Sequence, residues 1–443
     1  MKLIVIGGVA AGMSAASKLK RMNKDAQVVV YESGGFLSYG ACGLPYYVSG
    51  ENDDHTKLIA RTKEAFEQAG MEIHLHHEVT KIDPKKKQIL VKDRVNKTMF
   101  LDSYDKLMVA TGTKPVIPNL PGVGLENIYT LKTMDDGIHL KEKVESRAIQ
   151  DVVIIGGGYI GVEVAEAMVR QGKNVRLIEL ADRILQNFEP EITDMAEKEL
   201  ERNNVKLHLN EKVLGFIGNG QVEAVETDKS TYKADLVVMA VGVRPATAFL
   251  KGSGIALAEN GAIIIDREMR TSVEDIYAAG DCAQVYNKVM EENSYIPLGT
   301  NANKCGRLAG ANIAGERNKY IGTLGSAAIK IFDLELGRTG LTEKDAQNMV
   351  LDYDTVFVQS ADHPAYYPDQ TPIWIKLIYE KRTKRILGAH AIGNKGVVLR
   401  IDIFALAIHN EMSTEELGMT DLCYAPPFAG VWDAVHIASN AAK

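Results

Sequence analysis

Residues 151–179 read DVVIIGGGYIGVEVAEAMVRQGKNVRLIE, and the fold turns on this stretch. A β-branched apolar run ends in a glycine turn, Gly156-x-Gly158-x-x-Gly161, and apolar residues at helical spacing follow. A second apolar run ends in Glu179, 18 residues after Gly161. Each feature has a physical reason. Gly156 permits the tight turn, Gly158 lets backbone approach a pyrophosphate, and Gly161 lets helix and strand pack closely. Phosphates sit on the N–H groups of a helix start, and the acid accepts hydrogen bonds from ribose hydroxyls. Strand, turn, helix and acid together predict a dinucleotide-binding βαβ unit. Its cofactor residues are Gly156, Gly157, Gly158, Tyr159, Ile160, Gly161 and Glu179.

The same grammar opens the chain. Residues 2–21 read KLIVIGGVAAGMSAASKLKR, and the next strand ends VVVYE at Glu32, 20 residues after Gly12. Gly7 and Gly12 hold the outer positions, but Val9 stands where the middle glycine is expected. A plain strand–helix turn is the alternative reading of this loop, and Glu32 favours a second dinucleotide. Two related strands, YDKLMVATGTKP (104–115) and ADLVVMAVGVRP (234–245), each run into a glycine and then a proline, as chains leaving a sheet do. From about residue 323 the pattern alternates like antiparallel strands, with helices from about Val397, predicting a smaller α+β unit.

Bulk properties bound the function. A chain of 443 residues exceeds one core and suggests about three domains. A net charge of −7 argues against nucleic acid as a partner. The apolar runs are strand length, far short of a membrane span, and the chain enters a strand at once with no signal peptide apparent. The four cysteines, Cys42, Cys282, Cys305 and Cys423, lie far apart without a CxxC, so neither a metal site nor a disulfide framework is expected. A cytoplasmic enzyme fits this cysteine usage.

Cys42 sits in LSYGACGLPYYVSG, residues 37–50. Gly40 and Gly43 would let backbone approach a flat ring, and a helix beginning near Pro45 would lower the thiol pKa. Further on, residues 271–281 read TSVEDIYAAGD. With the first loop and Glu32, ATG at 110–112, the second loop and Gly242, this stretch resembles the pyridine nucleotide-disulfide oxidoreductase family across essentially the whole chain. The resemblance implies an α/β fold with two Rossmann-like domains and a C-terminal α+β dimerisation domain. It places a discontinuous FAD domain at 1–114 and 246–322, an NAD(P)H domain at 115–245 and the dimerisation domain at 323–443. For FAD it implies Gly7, Gly8, Ala11, Gly12, Glu32, Ser33, Val79, Ala110, Thr111, Gly112, Gly280, Asp281, Leu298 and Ala302, and for the nicotinamide cofactor it adds Gly242. NADH is the expected donor because a 2′-phosphate would face Glu179, with some NADPH use if Arg183 turned toward it.

Two-cysteine members of that family carry C-x4-C, whereas the residue five past Cys42 is Tyr47, so the resemblance is to the single-cysteine branch. NADH oxidases and peroxidases of that branch cycle a cysteine sulfenic acid and carry a histidine two residues before the last glycine of the first loop, where this chain has Ala10. SYGACGLPYY resembles the corresponding stretch of coenzyme A-disulfide reductases, whose cysteine forms a mixed disulfide with coenzyme A. LCYAPPFAGVWD, residues 422–433, resembles their YAPP segment, which implies a homodimer in which Tyr424 reaches the partner's site. Tyr366 is the second matched tyrosine, with Tyr367 the alternative. Ser14, Lys18, Arg21, Ser38 and Asn303 fall at that branch's substrate positions, and Lys20, Lys57 and Arg61 are further candidates for the coenzyme A phosphates. Ala41 departs from the asparagine of some relatives, which leaves another small thiol or persulfide open as substrate. Many persulfide-reducing relatives append a rhodanese domain, of which these residues contain none.

Overall fold

The computed structural model describes all residues, 1–443. The strand Lys2–Ile6 pairs in parallel with Gln27–Tyr31 and Lys106–Val109, and the sheet is completed by Met71–His74 and Ile276–Ala278. Such strands are buried on both faces, which is why they read as continuous apolar runs. Helix Ala10–Met22 follows the first strand and packs along helix Gly299–Ile313. A methyl group at Gly306 would overlap the Ala11 carbonyl, and one at Gly310 the Ala15 carbonyl. The glycines therefore let two helices touch backbone to backbone. The matching sequence steps show that they run parallel, so both N-termini open at the same end of the sheet.

A second parallel sheet runs Lys206–His208, Asn174–Ile178, Asp151–Ile155, Leu236–Met239, Ile128–Tyr129. It lies between the fourth and the last strand of the first sheet in sequence. The chain leaves through Thr113–Pro115 and returns through Val243–Pro245, and these segments pair antiparallel, Lys114 opposite Arg244. The two proline-terminated exits of the sequence thus form one strap.

The third body is an antiparallel sheet in the order Ala327–Ile331, Leu334–Gly340, Ile386–Gly393, Pro372–Glu380, Tyr353–Ala361, with helix Val397–His409 packed on it. It is joined firmly to the second body. Glu166 accepts from Lys330 Nζ at 2.8 Å and from the Phe332 N–H at 2.7 Å. Lys376, almost fully buried, meets Glu189 at 3.1 Å, Glu191 at 2.8 Å and Glu343 at 2.9 Å. The hydrophobic core of the second sheet runs on into this body through Ile329, Ile331, Phe332 and Leu336. No helix is long and apolar enough to cross a membrane.

Candidate active site

The two glycine loops share one geometry. Gly7 and Gly156 both have φ +104°, a conformation that side chains strongly disfavour. A methyl group on Gly12 would overlap the Gly7 carbonyl, and one on Gly161 the Gly156 carbonyl. The acids match as well. Glu32 accepts from the Gly8 and Gly34 N–H groups, both at 2.7 Å. Glu179 accepts from Gly157 at 2.6 Å and Ala181 at 2.8 Å. Each carboxylate is thus fixed at the end of its strand before any ribose arrives. Val9 is accommodated because its φ is −103°, and Gly158 has φ −76° with nothing within 4 Å of a would-be methyl. The middle position asks for open space rather than for an unusual backbone.

Around the first loop the expected FAD residues converge. Gly280, φ +82°, brings its backbone against Ala11 and Ala302, whose methyls lie 3.0 and 3.6 Å from its would-be Cβ. Leu298 caps helix Gly299–Ile313 beside the start of helix Ala10–Met22. Two helix N-termini and open space at Gly112 form a cradle suited to a dinucleotide's phosphates. Asp281 meets Lys132 Nζ at 3.5 Å. Val79 is buried in the strand His77–Asp83, and Ser33 lies exposed beside Glu32. Around the second loop Gly242 leaves the sheet with φ +108° and open space at its α-carbon, while Tyr159 accepts a hydrogen bond from Asn187 Nδ2 at 2.9 Å. Arg183 lies 3.6 Å from its neighbour Asp182.

Cys42 occupies a single 3₁₀ turn, Ala41–Gly43, running directly into the short helix Leu44–Val48. The segment leading into the turn is tied to the first loop, because the Ser38 N–H donates to the Gly8 carbonyl at 2.8 Å. Ser38 itself has φ +49°, an uncommon conformation held by that bond and by its own carbonyl accepting from Ala60. Cys42 is exposed to solvent, yet enough protein lies near it to desolvate a thiolate. Here the sequence expectation fails in sign. Burial pushes the Cys42 thiol up and the Glu163 carboxylate adds to the push, while Lys132 pulls it down. A helix of five residues carries too little dipole to outweigh desolvation.

Glu163 was not singled out by the sequence. It lies two residues past Gly161 and faces Tyr46, whose hydroxyl is 3.5 Å from Oε1. Burial lifts its carboxyl to about 7, with Tyr46 lowering it and the charge of Glu166 raising it. The signals were available, a carboxylate beside the fingerprint and a tyrosine four residues past the cysteine, but their meeting is a tertiary event. Lys132 and Lys141 escaped for the same reason.

The substrate candidates separate into free and committed groups. Ser14 Oγ donates to Asn303 Oδ1 at 2.9 Å, bridging the two parallel helices. Lys18 and Arg21 continue the Ser14 stripe at helical spacing with no protein partner. Lys20 is committed to the Lys24 and Ala26 carbonyls at 2.8 and 3.0 Å, and Arg61 to the Ala65 carbonyl at 2.6 Å and the Phe66 ring. Tyr366 and Tyr424 meet hydroxyl to hydroxyl at 2.7 Å, whereas Tyr367 caps His363 with its carbonyl. Within the chain neither hydroxyl bonds the Cys42 turn. Cys282 and Cys305 are buried, with thiols pushed up to about 11 and about 12 by burial. No cluster of side chains suited to a metal ion is present.

The chain is similar to proteins of known identity over its whole length. It is 39% identical over 443 residues to an NAD(P)H sulfur oxidoreductase (CoA-dependent) of Pyrococcus abyssi, covering 100% of this chain and 98% of that protein. It superposes on the reduced CoADR-RHD of Bacillus anthracis with a TM-score of 0.97 at 33% identity, covering 100% of this chain and 80% of that one. The water-forming NADH oxidase of Lactobacillus brevis bound to NADH gives a TM-score of 0.96 at 33% identity, covering 100% and 98%. Residues 1–305 match the family profile described as pyridine nucleotide-disulphide oxidoreductase, and residues 326–435 match the dimerisation domain of the same family. With paired glycine loops, two anchored acids and a lone accessible cysteine between them, the chain belongs to the pyridine nucleotide-disulphide oxidoreductase family.

Proposed function

We propose that this flavoprotein oxidoreductase acts on sulfur, reducing coenzyme A disulfide, or a related small disulfide or persulfide, through Cys42 alone. The single observation carrying the reading is the place of Cys42: an accessible thiol four residues past Ser38, whose N–H is bonded to the first dinucleotide loop, with no disulfide partner. The CoA-dependent sulfur oxidoreductase of Pyrococcus abyssi supports the substrate class. Residues 1–114 and 246–322 hold FAD, 115–245 hold the nicotinamide cofactor, and 323–443 carry the dimer contact. FAD supplies the two-electron relay, taking hydride from NAD(P)H and delivering electrons to sulfur. Glu32 and the Gly8 loop orient one ribose and pyrophosphate. Glu179 and the Gly157 loop orient the other and favour NADH, since Arg183 is turned to Asp182.

The Cys42 thiolate attacks one sulfur of CoA–S–S–CoA, forming Cys42–S–S–CoA and expelling a CoA thiolate. Two electrons then cleave that mixed disulfide, regenerating the Cys42 thiolate and releasing the second CoA, so one NADH and one proton yield two CoA thiols. Ser14, Asn303, Lys18, Arg21 and Ser38 would hold the coenzyme. Tyr424 and Tyr366 form a phenol pair that supplies a proton to the leaving thiolate of the partner subunit. Leu399, Leu406, Met419, Phe428, Val431 and Trp432 are exposed apolar side chains of the third body and give a homodimer its contact.

The test is stoichiometric. NADH-reduced enzyme is titrated anaerobically with coenzyme A disulfide, and one CoA per subunit is expected on Cys42 by intact mass. Cys42→Ser should still take hydride into its flavin and reduce no disulfide. The second reading, an NADH oxidase cycling a Cys42 sulfenic acid, is favoured by the likeness to the Lactobacillus brevis enzyme. It replaces the first if oxygen or peroxide, and not the disulfide, reoxidises the enzyme through Cys42.

A further inference from the structure

The helix Leu44–Val48 follows Cys42 without a linker, yet its apolar side chains do not join the core beneath the first loop. Leu44 and Val48, 1% and 0% exposed, belong to the core of the second body. Leu44 sits against Gly137 on helix Met134–Val144, where a methyl group would approach Leu44 Cδ2 to 2.7 Å. A five-residue helix cannot hold itself in water, because nucleation costs more than so few hydrogen bonds return. At its end the Tyr47 carbonyl has only a 3.3 Å bond from the Gly50 N–H and the Val48 carbonyl has no backbone donor, so both take outside donors.

The second body supplies them. Lys141 Nζ, on the helix Met134–Val144, donates to the Tyr47 carbonyl at 3.1 Å and to Asp53 Oδ1 at 3.0 Å. Its side chain is 9% exposed, and the ammonium lies 4.6 Å from the Tyr47 ring centroid. Gln171 Nε2, just past the helix Tyr159–Arg170, donates to the Val48 carbonyl at 3.1 Å. The two donors come from the helices on either side of the strand Asp151–Ile155 in sequence and close on consecutive carbonyls.

We infer that Lys141 and Gln171 are positioning residues for Cys42: reaching across from the nucleotide-binding insertion, they hold the carboxyl end of the Cys42 helix and so fix where the thiol stands. The ammonium is buried and its bond to the Tyr47 carbonyl is charge-assisted, so it is the stronger donor there; the only other is the Gly50 N–H at 3.3 Å. The inference rests on Cys42 being the reacting thiol, as proposed above.

Lys141→Met keeps the apolar stem and removes the donor. In the FAD-loaded dimer, flavin reduction by NADH should stay within about twofold, while reoxidation by coenzyme A disulfide and the appearance of CoA on Cys42 by intact mass should slow about tenfold, as a displaced reacting atom does. Lys141→Arg should restore most of the loss, and Gln171→Ala should show a smaller loss in the same step. Glu142→Gln, exposed on the same helix, should change neither step. Equal losses in both steps, or a lower melting temperature with both steps intact, would overturn the inference. If Lys141→Met does not fold, Gln171→Ala decides: an unaltered sulfur step sinks the idea. Failure of the Cys42 reading is separate, since it would show as disulfide reduction surviving in Cys42→Ser whatever Lys141 does.

Discussion

The two dinucleotide loops are near copies in backbone and differ in what their helices carry. In both, the first and last glycines are demanded by a positive φ and a close carbonyl, and the following acid is held by two N–H groups. Two residues past the last glycine the copies part. The first helix has Ser14, tied to Asn303. The second has Glu163, pressed toward Tyr46 and Cys42. One scaffold position thus ties two helices together in one copy and bears on the electrostatics of the thiol in the other. The cradle is reused, and the side chains that leave it set the work.

The likeness breaks most severely at the turn glycines. Gly156→Ala puts a methyl group into the Ala240 carbonyl at φ +104°, so a loss of about 3 kcal/mol is expected from overlap and backbone strain. Thermal unfolding should show a clear drop, and the variant should bind NADH too weakly to measure by flavin reduction. A variant as stable as the natural protein would mean that the loop relaxes freely.

The difference at the second position is sharpened by pH. The Glu163 carboxyl lies near 7 in the folded protein against an ordinary 4.5. Its folded-state pKa is raised, so between those values the folded state binds the proton more tightly than the unfolded one. Its contribution to stability therefore falls as pH rises through this window, and the cost is complete above about 7. Glu163→Gln should be stabilised relative to the natural protein by about 3 kcal/mol at pH 8 and by little at pH 4.5. Urea unfolding at the two pH values measures it, and a difference independent of pH would refute the shifted carboxyl.

The smallest effect tests the middle position. Gly158→Val copies Val9 into the second loop, and Val9→Gly does the reverse. Neither should alter stability by more than about 0.5 kcal/mol, because both sites have negative φ. Gly158→Val should raise the KM for NADH, and Val9→Gly should leave flavin content unchanged. A folding defect in either would show that the middle glycine is structural after all.

What was legible in the sequence is what local rules govern. The glycine turns, the two acids, the strap prolines and the alternating strands of the third body all follow from spacing, φ and period. Illegible were the meetings between bodies. Leu44 and Val48 look like any apolar pair after a cysteine, and nothing local says that their core lies beyond residue 130. The direction of the Cys42 shift is not legible because the helix shows in the sequence, whereas the desolvation and the nearby Glu163 carboxylate do not. Lys20 and Arg61 are candidates for phosphate by charge alone, and no local pattern shows the backbone carbonyls that they bond.

The strap between Thr113–Pro115 and Val243–Pro245 has a consequence for the order in which the molecule is made. Emerging from the ribosome, the first sheet has four strands by residue 109 but lacks its edge, Ile276–Ala278, and the helix Gly299–Ile313 that packs on its first helix. The inserted sheet is complete by Met239. Since domains close as soon as their parts are available, the middle of the chain should fold before its beginning, and the strap then holds the unfinished first body open for its own C-terminal half.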